Sequence, residues 1–134
     1  MLIVIDIFSK FVWIIPLKRK TGQKVANAFS RILKERRPSK MWVDKRRKFY
    51  NKDVQKLVEL YSTETEAKSS VIERFNRTIK ENVFNYFSAD NTRTNIDVLE
   101  LLVDQYNNTI HSSINMTSKE ANSKENENKV WRNF

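Results

Sequence analysis

Leu2-Ile3-Val4-Ile5-Asp6-Ile7-Phe8 and Phe11-Val12-Trp13-Ile14-Ile15-Pro16-Leu17 are two apolar runs rich in β-branched and aromatic side chains, split by Ser9-Lys10. Such residues suit a pleated, half-buried surface, and the polar pair between them reads as a short turn, so the stretch predicts two paired strands. Pro16, which cannot donate to a ladder, fits near the end of the second strand. Downstream, Thr21 is placed to cap a helix carrying Val25, Phe29, Ile32 and Leu33 at helical spacing, stopped by Arg36-Arg37-Pro38. Met41-Trp42-Val43-Asp44 reads as a short strand that delivers Asp44 at its C-terminal end. Asn51 can then cap a helix carrying Val54, Leu57, Val58 and Tyr61.

A polar stretch from Ser62 to Lys68 precedes a long helix whose apolar line is Ile72, Phe75, Ile79, Val83 and Tyr86. A further helix carries Ile96, Leu99, Val103, Tyr106 and Ile110 on one face. From Ser123 the chain is rich in Lys, Glu and Asn without periodicity, which predicts a frayed polar tail over 123–134. The order of elements is α/β, and 134 residues suit a single domain, here 1–122, ahead of that tail.

Composition narrows the chemistry. Cysteine is absent and His111 is the single histidine, which excludes disulfides, thiol catalysis and cysteine-based zinc sites and suits a reducing, intracellular setting. A metal would have to be held by carboxylates, hence a hard ion such as Mg2+ or Mn2+. There is no run of about 18 apolar residues to span a membrane. The net charge of +9 is concentrated: residues 18 to 48 hold 13 Lys or Arg against Glu35 and Asp44, a local net of +11, while the rest of the chain carries 12 basic and 14 acidic residues. That segment has the charge of a surface meeting phosphates, or of a solvated basic loop.

Asp44 at a strand end and Glu73 in the first turn of an amphipathic helix can converge on a cation, and phosphoryl transfer by two metal ions needs such carboxylates. Alone, such a pair is more often structural, an acid before a turn and an acid complementing a helix dipole. The surrounding words decide. Val4-Ile5-Asp6-Ile7-Phe8-Ser9-Lys10, Pro16-Leu17-Lys18 to Thr21-Gly22, Val43-Asp44-Lys45, Phe49-Tyr50-Asn51, Val71-Ile72-Glu73-Arg74-Phe75-Asn76-Arg77-Thr78 and Tyr106-Asn107-Asn108-Thr109-Ile110-His111-Ser112-Ser113 resemble, in order, the integrase catalytic core of retroviruses, retrotransposons and large DNA transposons.

The resemblance implies a ribonuclease H-like fold, here with a depleted sheet of about three strands packed with several helices. It also implies DNA integration by a metal-dependent polynucleotidyl transferase whose two aspartates and one glutamate bind magnesium. By matching motif, Asp44 corresponds to the second aspartate and Glu73 to the glutamate, both catalytic and metal-binding. Arg77 and Lys80 match positions that contact DNA, and Lys45, Arg46 and Arg47 add phosphate contacts. The partners implied are DNA and further copies of the chain, with no membrane, and a nuclear location in a eukaryotic host.

The chain also departs from the pattern. The motif from Val4 to Lys10 resembles the second strand of the family, so Asp6 is expected to support a turn, and the first aspartate and its strand are expected to be missing. The hairpin should then stand apart from the strand of Met41 to Asp44. Arg46 and Lys48 stand where the family has glycine and often glutamate, the interval from Asp44 to Glu73 is shorter than in retroviral relatives, and Ser118 replaces a common proline. The zinc-binding and C-terminal DNA-binding modules of the family are likewise expected to be missing. These departures lead to the expectation of an integrase-core-like protein of a mobile element that binds DNA but is catalytically incomplete. The alternatives are a noncatalytic nucleic-acid-binding module retained from a transposon, or a non-functional remnant.

Overall fold

The computed structural model describes residues 2–19, 21–38, 40–42, 52–57, 59–61, 73–82 and 95–133. They fall into two compact units, one of Met1–Leu2 with Ile15–Lys68 and one of Ile3–Ile14 with Ser69–Phe134.

The two apolar runs form the expected hairpin, β1 (Leu2–Ile5) and β2 (Val12–Ile15), as a two-stranded sheet. Its turn is built from its own polar side chains. One Asp6 carboxylate oxygen accepts from the Phe8 amide at 3.1 Å and the other from the Ser9 hydroxyl at 2.8 Å, while Ser9 Oγ accepts from the Phe11 amide at 3.2 Å. The Asp6 amide donates to the Phe11 carbonyl at 2.9 Å and closes the loop. Lys10 sits in the left-handed region at φ 61°, a conformation costing about 1–2 kcal/mol for a residue with a Cβ. Its ammonium donates to the Ile7 carbonyl at 2.7 Å, which helps to hold it there.

Alternation along the hairpin puts Ile3, Ile5, Val12 and Ile14 on the face that packs against two helices. These are α3, described over 73–82, and α4 (Asn95–Asn107). Phe75 and Ile79 from α3 and Val98, Leu102 and Val103 from α4 are buried, with Leu99 and Tyr106 half-buried, and Phe75 meets Tyr106 edge-on at 4.9 Å. Each such side chain contributes on the order of 1.5–3 kcal/mol on burial. Ile72, Val83 and Tyr86 lie outside the described residues.

The line expected on α4 is corrected at its end. Ile110 is 70% exposed, because the helix stops at Asn107 and Ile110 lies in the next strand. Local and distant contacts stop the helix: Asn108 and Thr109 side chains donate to the carbonyls of Asp104 and Gln105, and the Asn107 side chain leaves the helix for β2. The Val12 amide donates to Asn107 Oδ1 and Asn107 Nδ2 donates to the Val12 carbonyl, both at 2.9 Å and both buried.

Beyond α4, β5 (Ile110–His111) pairs antiparallel with β6 (Met116–Thr117) around a turn with Asn115 at φ 52°. Thr117 then starts α5 (Ser118–Ala121) with a capping box, its backbone and hydroxyl both donating to the Glu120 carboxylate. Those bonds hold the Glu120 carboxyl below its usual range. Ser118, where the resemblance has proline, occupies the first helical position, whose amide needs no helical partner, and its buried Oγ finds none among the described residues.

The expectation of fraying from Ser123 does not hold. A 3-10 turn (Lys124–Asn126) leads into α6 (Glu127–Arg132), and Val130 is fully buried with Ile114 and Ala121, flanked by Phe8 and Met116. Phe8 and Trp131 lie 5.0 Å apart, and the Asn133 side chain donates to the Ile114 carbonyl at 2.9 Å. One apolar side chain with a cavity to fill outweighs a polar composition.

In the other unit, α1 (Gly22–Glu35) is capped by Thr21, whose hydroxyl accepts from the Lys24 amide, and buries Val25, Ala26, Ala28, Phe29 and Ile32. It packs on α2 (Lys52–Gln55), whose Val54 is fully buried. The helix expected through Tyr61 is only one turn long. Glu59–Tyr61 is instead β4, parallel to β3 (Lys40–Trp42), with Lys40 opposite Glu59 and Trp42 opposite Tyr61. Pairing with β3 overrides the helical spacing of Leu57 and Tyr61. Arg37 donates to the Leu57 carbonyl at 2.9 Å and fixes the connection between the two elements. The fold is α/β as expected, and among the described residues the strands form three two-stranded sheets.

Replacing Asn107 by Leu leaves the Val12 amide and carbonyl buried and unpaired, and should destabilise the fold by about 2–4 kcal/mol in urea melts. Asn107→Asp should do at least as much harm at neutral pH, since a carboxylate cannot donate to the Val12 carbonyl. Losses under about 1 kcal/mol for both would show that the clamp is dispensable.

Candidate nucleic-acid interface

Helix α3 is two-faced. Phe75 and Ile79 point into the core, and on the opposite side Glu73, Asn76, Arg77, Lys80 and Glu81, at steps of three, four, seven and eight from Glu73, line an open depression. Glu73, Arg77, Lys80 and Glu81 are exposed and Asn76 is half-exposed. Glu73, Arg77 and Lys80 therefore share a face, as their spacing requires. Asn76 and Glu81 join them; Asn76 lies within the quoted motif from Val71 to Thr78, and only the periodicity marks Glu81 in the sequence. Two cations and an amide in one stripe can hold phosphate oxygens, while Glu73 at its N-terminal end can bind a cation or repel an anion.

Asp44, Lys45, Arg46 and Arg47 lie outside the described residues, so Glu73 is the one member of the expected carboxylate pair that is placed. Among the described residues there is no group of three or more His, Asp or Glu that could hold a metal ion. The described residues thus do not by themselves assemble a magnesium site. Asp6 has the role expected of it, with both carboxylate oxygens accepting hydrogen bonds within its turn.

A second group of ionisable side chains surrounds the hairpin turn. Burial pushes the Lys10 ammonium below its ordinary range, with Asp6 opposing and Arg74 reinforcing the shift. His111 packs against Tyr106 with ring centroids 4.7 Å apart, and its buried Nε2 has no partner among the described residues. Burial lowers its affinity for a proton, a hydrogen bond to the Tyr106 backbone works the other way, and the Lys10 charge lowers it further. Burial also raises the Tyr106 phenol. His111 is accordingly neutral near pH 7 and serves packing.

No family model matches the chain. It is 35% identical over 121 residues to an uncharacterized transposon-derived protein of Caenorhabditis elegans, covering 85% of this chain and 42% of that protein, so the chain spans less than half the length of this relative. Its fold is similar to a chain in the intasome of simian T-cell lymphotropic virus solved with the PP2A regulatory subunit B56 gamma, at TM-score 0.77 and 17% identity over 90% of this chain and 46% of that one. It is also similar to the HTLV-2 integrase catalytic core domain in complex with magnesium, at TM-score 0.72 and 16% identity over 89% of this chain and 81% of that one.

The His111 environment predicts a pH dependence. Its folded-state pKa lies below the free value of 6.5, so on acidification the unfolded chain takes up a proton that the folded chain resists. Stability should be level above about pH 7 and fall as pH drops through 6.5. Melting temperatures compared at about pH 7.5 and pH 5.5 should show this drop, and His111→Gln should flatten it. An unchanged drop in the variant would assign it to other groups.

Proposed function

The chain carries the integrase catalytic-core fold of the ribonuclease H-like superfamily, and from that premise we propose that it engages DNA as the core of a mobile-element integrase, binding the duplex better than it joins it. The observation that carries the reading is the exposed stripe of Asn76, Arg77 and Lys80 on α3, set on a helix whose opposite face is fixed in the core. A rigid helix presenting cations at one-turn intervals meets successive phosphates without ordering new side-chain scaffolding, and phosphate contacts give affinity without sequence preference. Lys45, Arg46 and Arg47 extend this basic character within the segment of local charge +11.

Asp44 and Glu73 are the proposed catalytic carboxylates and the proposed ligands of Mg2+ or Mn2+. Two cations held close together repel, and two carboxylates offset that repulsion poorly. Asp6 supplies no third ligand while its oxygens serve the turn. Lys45, Arg46, Arg47 and Lys48 beside Asp44 add a positive field that disfavours a cation. Joining DNA ends by this chain alone is therefore impaired, and binding is what remains. Self-association is part of the same reading, as is a nuclear location in a eukaryotic host. No helix among the described residues is long and apolar enough to cross a membrane.

Binding to duplex DNA should weaken steeply with salt, and Arg77→Ala with Lys80→Ala should reduce the slope of log affinity against log salt by roughly 2, about one for each phosphate no longer neutralised. Salt-insensitive binding, or an unchanged slope in the double variant, would remove α3 from the interface. In a strand-transfer assay with magnesium or manganese, the purified chain should give no joined product. Robust joining that disappears in Glu73→Gln would overturn the catalytic half of the proposal.

A further inference from the structure

Helix α1 has a face that the fold does not use. Val25, Ala28, Phe29 and Ile32 are buried on one side, and Gln23, Lys24, Asn27, Arg31 and Lys34 are exposed on the other. At 100° per residue, these five fall within about a 100° arc centred opposite the buried side. Glu35, at the edge of the arc, is its one acid. Among the described residues, Lys24, Arg31 and Lys34 form no ion pair. The first turn contains no acidic residue but does contain Lys24, a position where the helix dipole disfavours a cation. Arg31 and Lys34, one turn apart, repel one another. Lys34 in the last turn suits the dipole and Glu35 lies four residues from Arg31, so the helix offsets part of these costs. A polyanion laid along the face would offset the rest.

We propose that this face of α1 is a second DNA-binding surface, on which Lys24, Arg31 and Lys34, with Asn27 between them, contact the phosphates of a duplex. The proposal rests on the reading that the protein binds DNA, and adds a surface to the one on α3. The dimensions agree. Ten residues of helix separate Lys24 from Lys34, about 15 Å at 1.5 Å each. That length faces roughly four phosphates of one strand at an axial rise of about 3.4 Å. Asn27 supplies an amide donor where a fourth cation would add repulsion. Lys18 and Arg19, exposed ahead of the Thr21 cap, continue the positive surface beyond the first turn.

The test uses the whole chain and a mixed-sequence duplex of about 30 base pairs, followed by fluorescence anisotropy across a salt series. Replacing Lys24, Arg31 and Lys34 by Gln should weaken binding at least tenfold at low salt and reduce the salt slope by roughly 2–3, since each phosphate left without its cation lowers it by about 0.9. The control replaces Lys119, Lys124 and Lys129 by Gln, three exposed residues elsewhere carrying the same total charge, and should cost less than about threefold. Equal losses in both variants, or no loss in the α1 variant, would overturn the proposal. If Arg77→Gln with Lys80→Gln abolishes binding while the α1 variant binds normally, the α1 surface falls and the DNA-binding reading stands. The converse result supports α1 and removes α3. A second readout does not depend on affinity. The chain has no cysteine, so Asn27→Cys introduces a single thiol that can carry a photoreactive probe. The probe should crosslink to the duplex at low salt, with Lys119→Cys as the unreactive control. Absence of a crosslink from position 27 under binding conditions would also overturn the proposal.

Discussion

Two hydrogen bonds between the Asn107 side chain and the backbone of Val12 join parts of the chain 95 residues apart, and the larger core depends on them. Phe11 turns its carbonyl toward Asp6 across the hairpin, so the next residue, Val12, turns both backbone groups the other way. Left buried and unpaired, those groups would each cost about 1–3 kcal/mol. A primary amide carries one acceptor and two donors in a plane, much as a peptide does, so Asn107 completes the edge of β2 where another strand would otherwise be needed. Neither a carboxylate nor a hydroxyl offers both partners in that geometry.

The placement of the α3 cations depends on that clamp. By holding the end of α4 to β2, Asn107 places Leu102, Val103 and Tyr106 against the hairpin and leaves room for Phe75 and Ile79 of α3. The apolar contact fixes the rotation of α3 about its own axis. Once Phe75 and Ile79 are committed inward, Arg77 and Lys80 have no choice but to face solvent. Presentation of these cations to solvent is here a consequence of core packing.

The same economy shows at the hairpin turn. Asp6 is an acid in a segment that resembles part of a catalytic core, yet its two oxygens are engaged by Phe8 and Ser9. A carboxylate holding a turn with a left-handed lysine is poorly placed to become a metal ligand, since releasing it would leave Lys10 in an unfavourable conformation with less to hold it there. Among the described residues, basic charge lies mostly on exposed faces and turns, where desolvation costs little.

The sequence by itself determined what short-range pattern can determine. Two apolar, β-branched and aromatic runs split by Ser9-Lys10 specify a hairpin, and spacings of three and four specify α1, α3 and α4. The i+4 and i+7 positions after Glu73 specify which side chains share its face. The ordered motifs pointed to the integrase-core fold that the solved structures share. Only the tertiary structure decided the rest. Glu59–Tyr61 is a strand because β3 offers it a parallel partner, and Val130 draws a polar stretch into a helix because Ile114 and Ala121 leave a place for it. Asn107 ends α4 because Val12 needs its amide. In each case the deciding contact lies from about ten to ninety-five residues away, where a local periodicity carries no information and only the energy of burying or pairing groups chooses among conformations.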